Sequence, residues 1–114
     1  MSKTPKPRTG QAKMGQAKLP RAAERMNEEQ VAAALAALPE WSLAGEAIQR
    51  TYGFKNFVES VAFVNRAAAA AEAANHHPDI LIRYNKVTMT LSTHDAGGIT
   101  KRDFELAGKM DGMI

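Results

Sequence analysis

Ile80-Leu81-Ile82-Arg83-Tyr84-Asn85-Lys86-Val87-Thr88-Met89-Thr90-Leu91-Ser92-Thr93-His94 is the stretch that decides the fold. Two apolar-rich runs, 80–84 and 87–93, flank Asn85-Lys86, a pair suited to a tight hairpin turn. In the second run Val87, Met89 and Leu91 share one face of a strand, while Thr88, Thr90, Ser92 and His94 share the other. One face is built for a core, and His94 ends the polar face. Upstream, Pro78 closes a segment in which Asn56 and Glu59 have capping-box spacing and Phe57, Val58, Val61, Ala62 and Val64 form an apolar stripe. This predicts a helix over 56–74. Its second half, from Ala67 on, is almost all alanine: a strong helix former, and a smooth surface that lets another helix approach closely, within the fold or between subunits. Downstream, Ala96-Gly97-Gly98 is a flexible connection. Thr100 with Asp103 then reads as a capping box and Ile99 with Phe104 as a hydrophobic staple, opening a helix over 101–110.

Toward the N-terminus, Asn27 followed by Glu28, Glu29 and Gln30 reads as a helix cap with acids in the first turn, and Val31, Leu35 and Leu38 recur at helical spacing until Pro39. Trp41 and Leu43, a turn around Ala44-Gly45-Glu46, and the alternating Ile48–Phe54 stretch then read as a strand pair. The order α-β-β-α-β-β-α implies an α+β fold in two layers, a four-stranded antiparallel sheet with helices on one face.

At 114 residues the chain has room for one domain. It has no cysteine, so disulfides, thiolate metal sites and cysteine nucleophiles are excluded. No apolar run approaches the roughly 18–20 residues of a membrane span, so a soluble, cytoplasmic protein with no membrane partner is expected. The formal net charge of +3 is unevenly distributed. Residues 1–25 hold seven basic groups and one acid, whereas 26–114 hold eight basic and eleven acidic groups. The first 25 residues, with the repeated Gly-Gln-Ala-Lys of 10–13 and 15–18, are too poor in large apolar residues to offset the entropy of ordering. A disordered basic extension over 1–25 and a folded domain over 26–114 are expected. The basic arm is the only candidate for nucleic-acid contact, weak and sequence-blind.

All three histidines fall within nineteen residues. His76 and His77 leave the long helix, Glu72 precedes His76 by one helical turn, and the hairpin returns His94 toward the same end. Three chemistries fit such a cluster. A zinc site is disfavoured because adjacent histidines point in divergent directions. Capping of a helix C-terminus would explain a lone histidine. Three imidazoles with a carboxylate favour proton transfer, because imidazole titrates near neutrality.

The same residues carry a resemblance. Glu72-Ala73-Ala74-Asn75-His76-His77-Pro78, then Tyr84-Asn85-Lys86-Val87, then Leu91-Ser92-Thr93-His94-Asp95 and Gly98 through Asp103, resemble the signature of the pterin-4a-carbinolamine dehydratases, and Trp41 after Pro39-Glu40 also fits. The resemblance covers about residues 27–114, and the basic tail has no counterpart in it. It implies loss of water from a 4a-hydroxytetrahydropterin, left by aromatic amino-acid hydroxylation, to give a quinonoid dihydropterin, with no metal and no cofactor. It also implies catalytic roles for His76, His77, His94 and Glu72. His76 is expected at the 4a-hydroxyl, His94 as a second proton-transfer group and His77 as a group that orients the pterin, with Glu72 holding His76 in its tautomer. The expected substrate contacts are Asn75, His76, His77, Ser92, Thr93, His94 and Asp95, joined by Asp103, which its capping box explains equally well, and by Trp41, for which core packing is the preferred reading.

A second function class comes with the resemblance. Some members act as dimerisation partners or coactivators of transcription factors, and some relatives assist enzyme assembly without turning over pterin. Retention of all three histidines favours the enzyme. A domain of about 88 residues buries only about 60–65% of its unfolded surface, and Leu81 opposes Ile80 and Ile82 across the sheet. A homodimer or homotetramer is therefore expected, with the alanine face over 67–74 as a candidate contact.

Overall fold

The structure is a computed structural model that describes residues 24–114. The expected disordered extension lies outside the described residues apart from its last two positions. Helix α1 (Glu28–Ala36) is followed by strands β1 (Ser42–Ala44) and β2 (Ala47–Gly53) and by the long helix α2 (Phe57–Ala74). Strands β3 (Asp79–Arg83) and β4 (Lys86–Leu91), a short 3-10 turn at His94–Ala96, and helix α3 (Lys101–Asp111) complete the chain. The fold is α+β in the expected order, with all strand pairs antiparallel and the sheet ordered β1-β2-β4-β3.

Local chemistry explains the helix starts. Asn27 and Gln30 make a reciprocal capping box on α1, each side chain bonding the other's backbone N–H at 2.8 Å. Asn56 accepts from the Glu59 N–H at 2.9 Å, but the Glu59 carboxylate accepts from Lys55 instead of closing the box on Asn56. Thr100 and Asp103 cap α3 reciprocally.

The hairpin turn lies one residue earlier than expected. Arg83 pairs with Lys86, so Tyr84-Asn85 is the two-residue loop, and Tyr84 adopts φ +54°. Moving the turn by one residue slips the pairing by two and leaves every side chain on its own face, so alternation cannot separate the two registers. Asn85 does: its amide donates to Phe54 O at 3.1 Å and its carbonyl accepts from Phe54 N at 2.8 Å, which ties the loop to the end of β2.

The sheet has a dry face and an open face. Ile48, Tyr52, Val87, Met89 and Leu91 are essentially inaccessible, and the helices cover them through Val31, Phe63, Ala67, Leu106 and Met110. Each fully buried large side chain is worth roughly 1.5–3 kcal/mol relative to exposure. On the other face Thr51 and Thr88 join hydroxyls at 2.8 Å and Leu81 is exposed. The alanines of α2 divide in the same way. Ala67 and Ala71 of α2 and Ala107 of α3 are buried in one core cluster, and the two helices are in contact, while Ala68, Ala69 and Ala73 remain exposed.

Two further contacts hold α3 in place. At its C-terminal end Asp111 accepts from Trp41 Nε1 at 3.0 Å, Arg50 at 2.8 Å and Tyr52 OH at 2.5 Å, while the Arg50 guanidinium lies 4.3 Å from the Tyr52 ring centroid. Burial, reinforced by the neighbouring Asp111 carboxylate, pushes the Tyr52 phenol well above its ordinary range. Before its N-terminal end the chain is strapped: Met26 N donates to Ile99 O at 2.8 Å, Arg25 bridges Thr100, and the Arg25 side chain lies where a Cβ on Gly98 would stand. The expected boundary between residues 25 and 26 falls inside this pairing.

Candidate active site

The exit of α2 sets the geometry. Asn75 takes a left-handed conformation, φ +52° and ψ +44°, and the N–H groups of Asn75 and His76 fold back onto Glu72 O and Ala71 O at 3.1 and 3.0 Å. The helical register therefore ends at Asn75, and His76 turns inward while His77 turns out.

His76 is 7% exposed and Asp103 is wholly buried, with His76 Nε2 to Asp103 Oδ1 at 2.5 Å. The other carboxylate oxygen accepts from the Thr100 N–H and the Thr93 hydroxyl, each at 2.9 Å. Thr93 Oγ1 lies 2.8 Å from Thr100 Oγ1, which also accepts from Arg102 N at 3.2 Å. Hydrogen counting orders this chain. Thr93 commits its single hydrogen to Asp103, so Thr100 donates to Thr93, and Asp103 as a carboxylate accepts from all its neighbours. The hydrogen between His76 and Asp103 is then on Nε2, which leaves Nδ1 of a neutral imidazole as an acceptor.

The expected pairing of Glu72 with His76 is not the one formed. Glu72 pairs with His77 instead, its Oε1 accepting from Nε2 at 2.9 Å, and both side chains are largely exposed. A one-turn pairing requires the helix to run through His76, and the left-handed Asn75 prevents that.

His94 follows Thr93 directly, so Asp103 ties the segments that carry His76 and His94 into one network. His94 and Asp95 are exposed at the start of the 3-10 turn, Gly97 takes φ +75° to close it, and Thr93 and Gly98 exchange backbone hydrogen bonds beneath it. Ser92 is drawn elsewhere, its hydroxyl donating to Glu46 O at 2.8 Å. Trp41 is 4% exposed and held by Asp111, eight residues beyond Asp103 along α3, about 12 Å by helical rise. It serves the core at the far end of that helix.

A cleft of about 230 Å³ lies against His76, lined by Ala74, Arg102, Glu105, Leu106 and Lys109. A larger groove of about 670 Å³ runs between α1 and Leu43 and contains none of the histidines. Among the described residues no three His, Asp or Glu side chains converge as metal ligands, and no helix is long and apolar enough to cross a membrane.

Sequence reasoning missed the Asp103–His76 contact and the Thr93–Thr100 link. One signal was present: a capping aspartate uses one carboxylate oxygen on the backbone, and a buried second oxygen needs a partner of its own.

The comparisons with known proteins follow the same residues. A family model described as pterin 4 alpha carbinolamine dehydratase matches residues 24–113. A relative from Picosynechococcus sp. is 54% identical over 89 residues, 78% of this chain and 97% of its own length. One from Thermomicrobium roseum is 55% identical over 86 residues, 75% of this chain and 92% of its own. Both carry the provisional description pterin-4-alpha-carbinolamine dehydratase. A crystal structure from Brucella melitensis, described as a transcriptional coactivator/pterin dehydratase, aligns with a TM-score of 0.77 at 38% identity, over 79% of this chain and 98% of that one. A pterin dehydratase-like protein described as a RuBisCO assembly factor shares the fold at 20% identity and a TM-score of 0.53, over 64% of this chain and 84% of that one. The α2 exit, the end of β4 and the capped start of α3 all fall within the matched span, and the chain belongs to the pterin 4 alpha carbinolamine dehydratase family.

Proposed function

We propose that the protein dehydrates a 4a-hydroxytetrahydropterin to the quinonoid dihydropterin, in the recycling of a tetrahydrobiopterin-type cofactor. The observation that carries this reading is the buried His76–Asp103 contact, which gives one imidazole a fixed tautomer beside a cleft. The reaction breaks the C4a–O bond as the N5 lone pair forms the N5–C4a double bond. A proton is delivered to the departing hydroxyl and the N5 proton is lost, so the net change is release of water. Protonated from solvent while Asp103 holds its Nε2–H, His76 gives its Nδ1 proton to the departing 4a-hydroxyl and returns to the neutral imidazole, and His94, the second proton-transfer group, takes the N5 proton. His77 orients the pterin with Glu72 behind it. Asn75 and the Ser92–Asp95 segment offer polar groups to the flat pterin edge. General acid–base catalysis of this kind contributes about 10²–10⁴-fold, and these roles require neither metal nor cofactor.

The test is dehydration of a 4a-hydroxytetrahydropterin by purified protein, with and without chelator. Activity should survive the chelator, and His76→Ala and His94→Ala should each slow the reaction at least tenfold. Wild-type rates from both variants would overturn the assignment.

A second reading, a protein-binding role, is favoured by the exposed Phe57 and Val58 at the start of α2 and by the coactivator description of the Brucella melitensis structure. The same apolar side chains, with Leu81 on the open sheet face, support a homodimer or homotetramer. Light scattering at micromolar concentration tests this, and a monomer would count against it.

A further inference from the structure

The 18-residue helix α2 has no basic residue in its last turn, so the negative end of its dipole and its last carbonyls must be met from elsewhere. Peptide N–H groups return to Ala71 O and Glu72 O. The carbonyls nearer the exit are met by another helix. Arg102 donates to Asn75 O at 2.8 Å and reaches Ala74 O at 3.4 Å from the same nitrogen.

Arg102 is an unexpected residue at its own position. It occupies the first turn of α3, where a cation opposes the helix dipole, whereas the neighbouring Asp103 complements it. Facing the end of α2, the same guanidinium is favourably placed. Successive residues of α3 thus hold successive residues of the α2 exit: Arg102 holds the Asn75 carbonyl, and Asp103 holds the His76 ring. Asn75 is a non-glycine residue at φ +52°, the left-handed helix-end conformation that asparagine adopts more readily than other side chains. The bond to its carbonyl fixes the plane of the Asn75–His76 peptide, from which the His76 side chain departs.

We infer that Arg102 is a positioning residue for His76, its guanidinium locking the Asn75–His76 peptide so that the imidazole stays against Asp103 with Nδ1 free. Its catalytic consequence rests on the proton-transfer role proposed above for His76; its geometric content does not. Arg102 acts through the backbone of another residue, and because one guanidinium nitrogen makes both contacts, a lysine ammonium that reaches the Asn75 carbonyl can stand in for it in part.

The experiment compares Arg102→Ala and Arg102→Lys with wild type by steady-state kinetics, thermal unfolding and ¹⁵N NMR of labelled histidine rings. In Arg102→Ala, kcat should fall about tenfold with KM changed less than twofold, because the pterin edge is held by other segments. The His76 ring N–H should exchange with water at least tenfold faster, and Arg102→Lys should recover kcat to within threefold of wild type. A purely structural role would lower the melting temperature while leaving the ring exchange of the folded protein unchanged, and that result overturns the inference. An unchanged kcat in an active enzyme overturns it as well. A wild-type protein that binds no pterin and turns none over overturns the proposed reaction instead, and the ring N–H exchange then decides the role of Arg102 alone.

Discussion

The two ends of α3 each present an aspartate to the rest of the protein, and they do different work. Asp103, in the first turn, is wholly buried and takes hydrogen bonds from an imidazole, a hydroxyl and a peptide N–H. Asp111, at the last turn, takes hydrogen bonds from an indole, a guanidinium and a phenol. The donors on Asp111 serve only as donors: the indole and guanidinium N–H groups have no acceptor form, and burial holds the Tyr52 phenol neutral. That end is a clamp joining α3 to β2 and the Trp41 segment. At the other end, one partner is an imidazole, which has a second ring nitrogen able to take up or release a proton. One helix thus uses the same carboxylate chemistry to fix the fold at one end and to set a tautomer at the other, and what separates the two is that only the imidazole partner has a second nitrogen that can serve as donor or acceptor.

Asp103→Asn is the largest break available to this comparison. The amide keeps the shape but replaces one acceptor oxygen with a donor, so either the Thr93–Thr100 link or the His76 contact must be remade. Turned toward His76, the new N–H₂ would displace the hydrogen from Nε2, and no carboxylate would remain to balance the imidazolium that gives its Nδ1 proton to the departing hydroxyl. In the proposed reaction kcat should fall about 10²–10³-fold, with the protein still folded by circular dichroism. A loss under fivefold would show that Asp103 is only a cap.

Asp111→Ala attacks the other end. It leaves Arg50, with 16% of its side chain exposed, and the Tyr52 hydroxyl without their acceptor. Stability should fall by about 2–3 kcal/mol, about 10–20 °C in melting temperature for a domain of this size. Activity per folded molecule should stay within twofold of wild type below the transition. A stable Asp111→Ala protein with lost activity would reverse the assignment of the two ends.

What the sequence made legible follows the same division. Strand faces and helix starts are local: Val87, Met89 and Leu91 alternate, and Asn27, Asn56 and Thr100 all serve as N-caps, although the box expected at Asn56 is only half formed. The exact hairpin turn was not legible, because a two-residue slip preserves both faces and only the Asn85–Phe54 contact, 31 residues apart, decides. The same distance problem governs the site. Residue types placed chemistry at His76, His77 and His94, but the partner of His76 is 27 residues away, and one left-handed residue at Asn75 was enough to transfer Glu72 from His76 to His77. The Asp111 clamp draws on residues up to 70 positions apart and left no local pattern to read.

Tyr52→Phe sharpens the clamp without dismantling it. Losing the hydrogen bond to Asp111 should cost about 1 kcal/mol near pH 7. The phenol is raised above its ordinary value in the folded protein, so between about pH 10, where an unfolded tyrosine titrates, and the higher folded value, the unfolded chain binds fewer protons than the native one. Wild-type stability therefore declines through that window by up to about 1.4 kcal/mol per pH unit from this residue. The phenylalanine variant lacks this contribution, and the remaining tyrosine and the lysines are common to both proteins. Urea unfolding should show a stability difference that is constant from about pH 6 to 9 and shrinks above about pH 10. A difference unchanged at about pH 11 would mean that the Tyr52 phenol is not held neutral.

Glu72→Gln should have the smallest effect, and it tests the reassignment made at the α2 exit. Glu72 and His77 are 82% and 58% exposed at their side chains, so their pairing is screened by water and is worth about 0–1 kcal/mol. Glutamine retains an oxygen that can accept from His77 Nε2, and only the charge is lost. Stability should change by less than about 0.5 kcal/mol, and kcat should fall two- to threefold through looser orientation of His77, an effect that added salt reduces in wild type. Were Glu72 the group that sets the tautomer of His76, the same substitution would cost as much as Asp103→Asn. A loss of thirtyfold or more would therefore require the α2 exit to rearrange when substrate binds, exchanging the partner of His76 from the buried carboxylate to the exposed one.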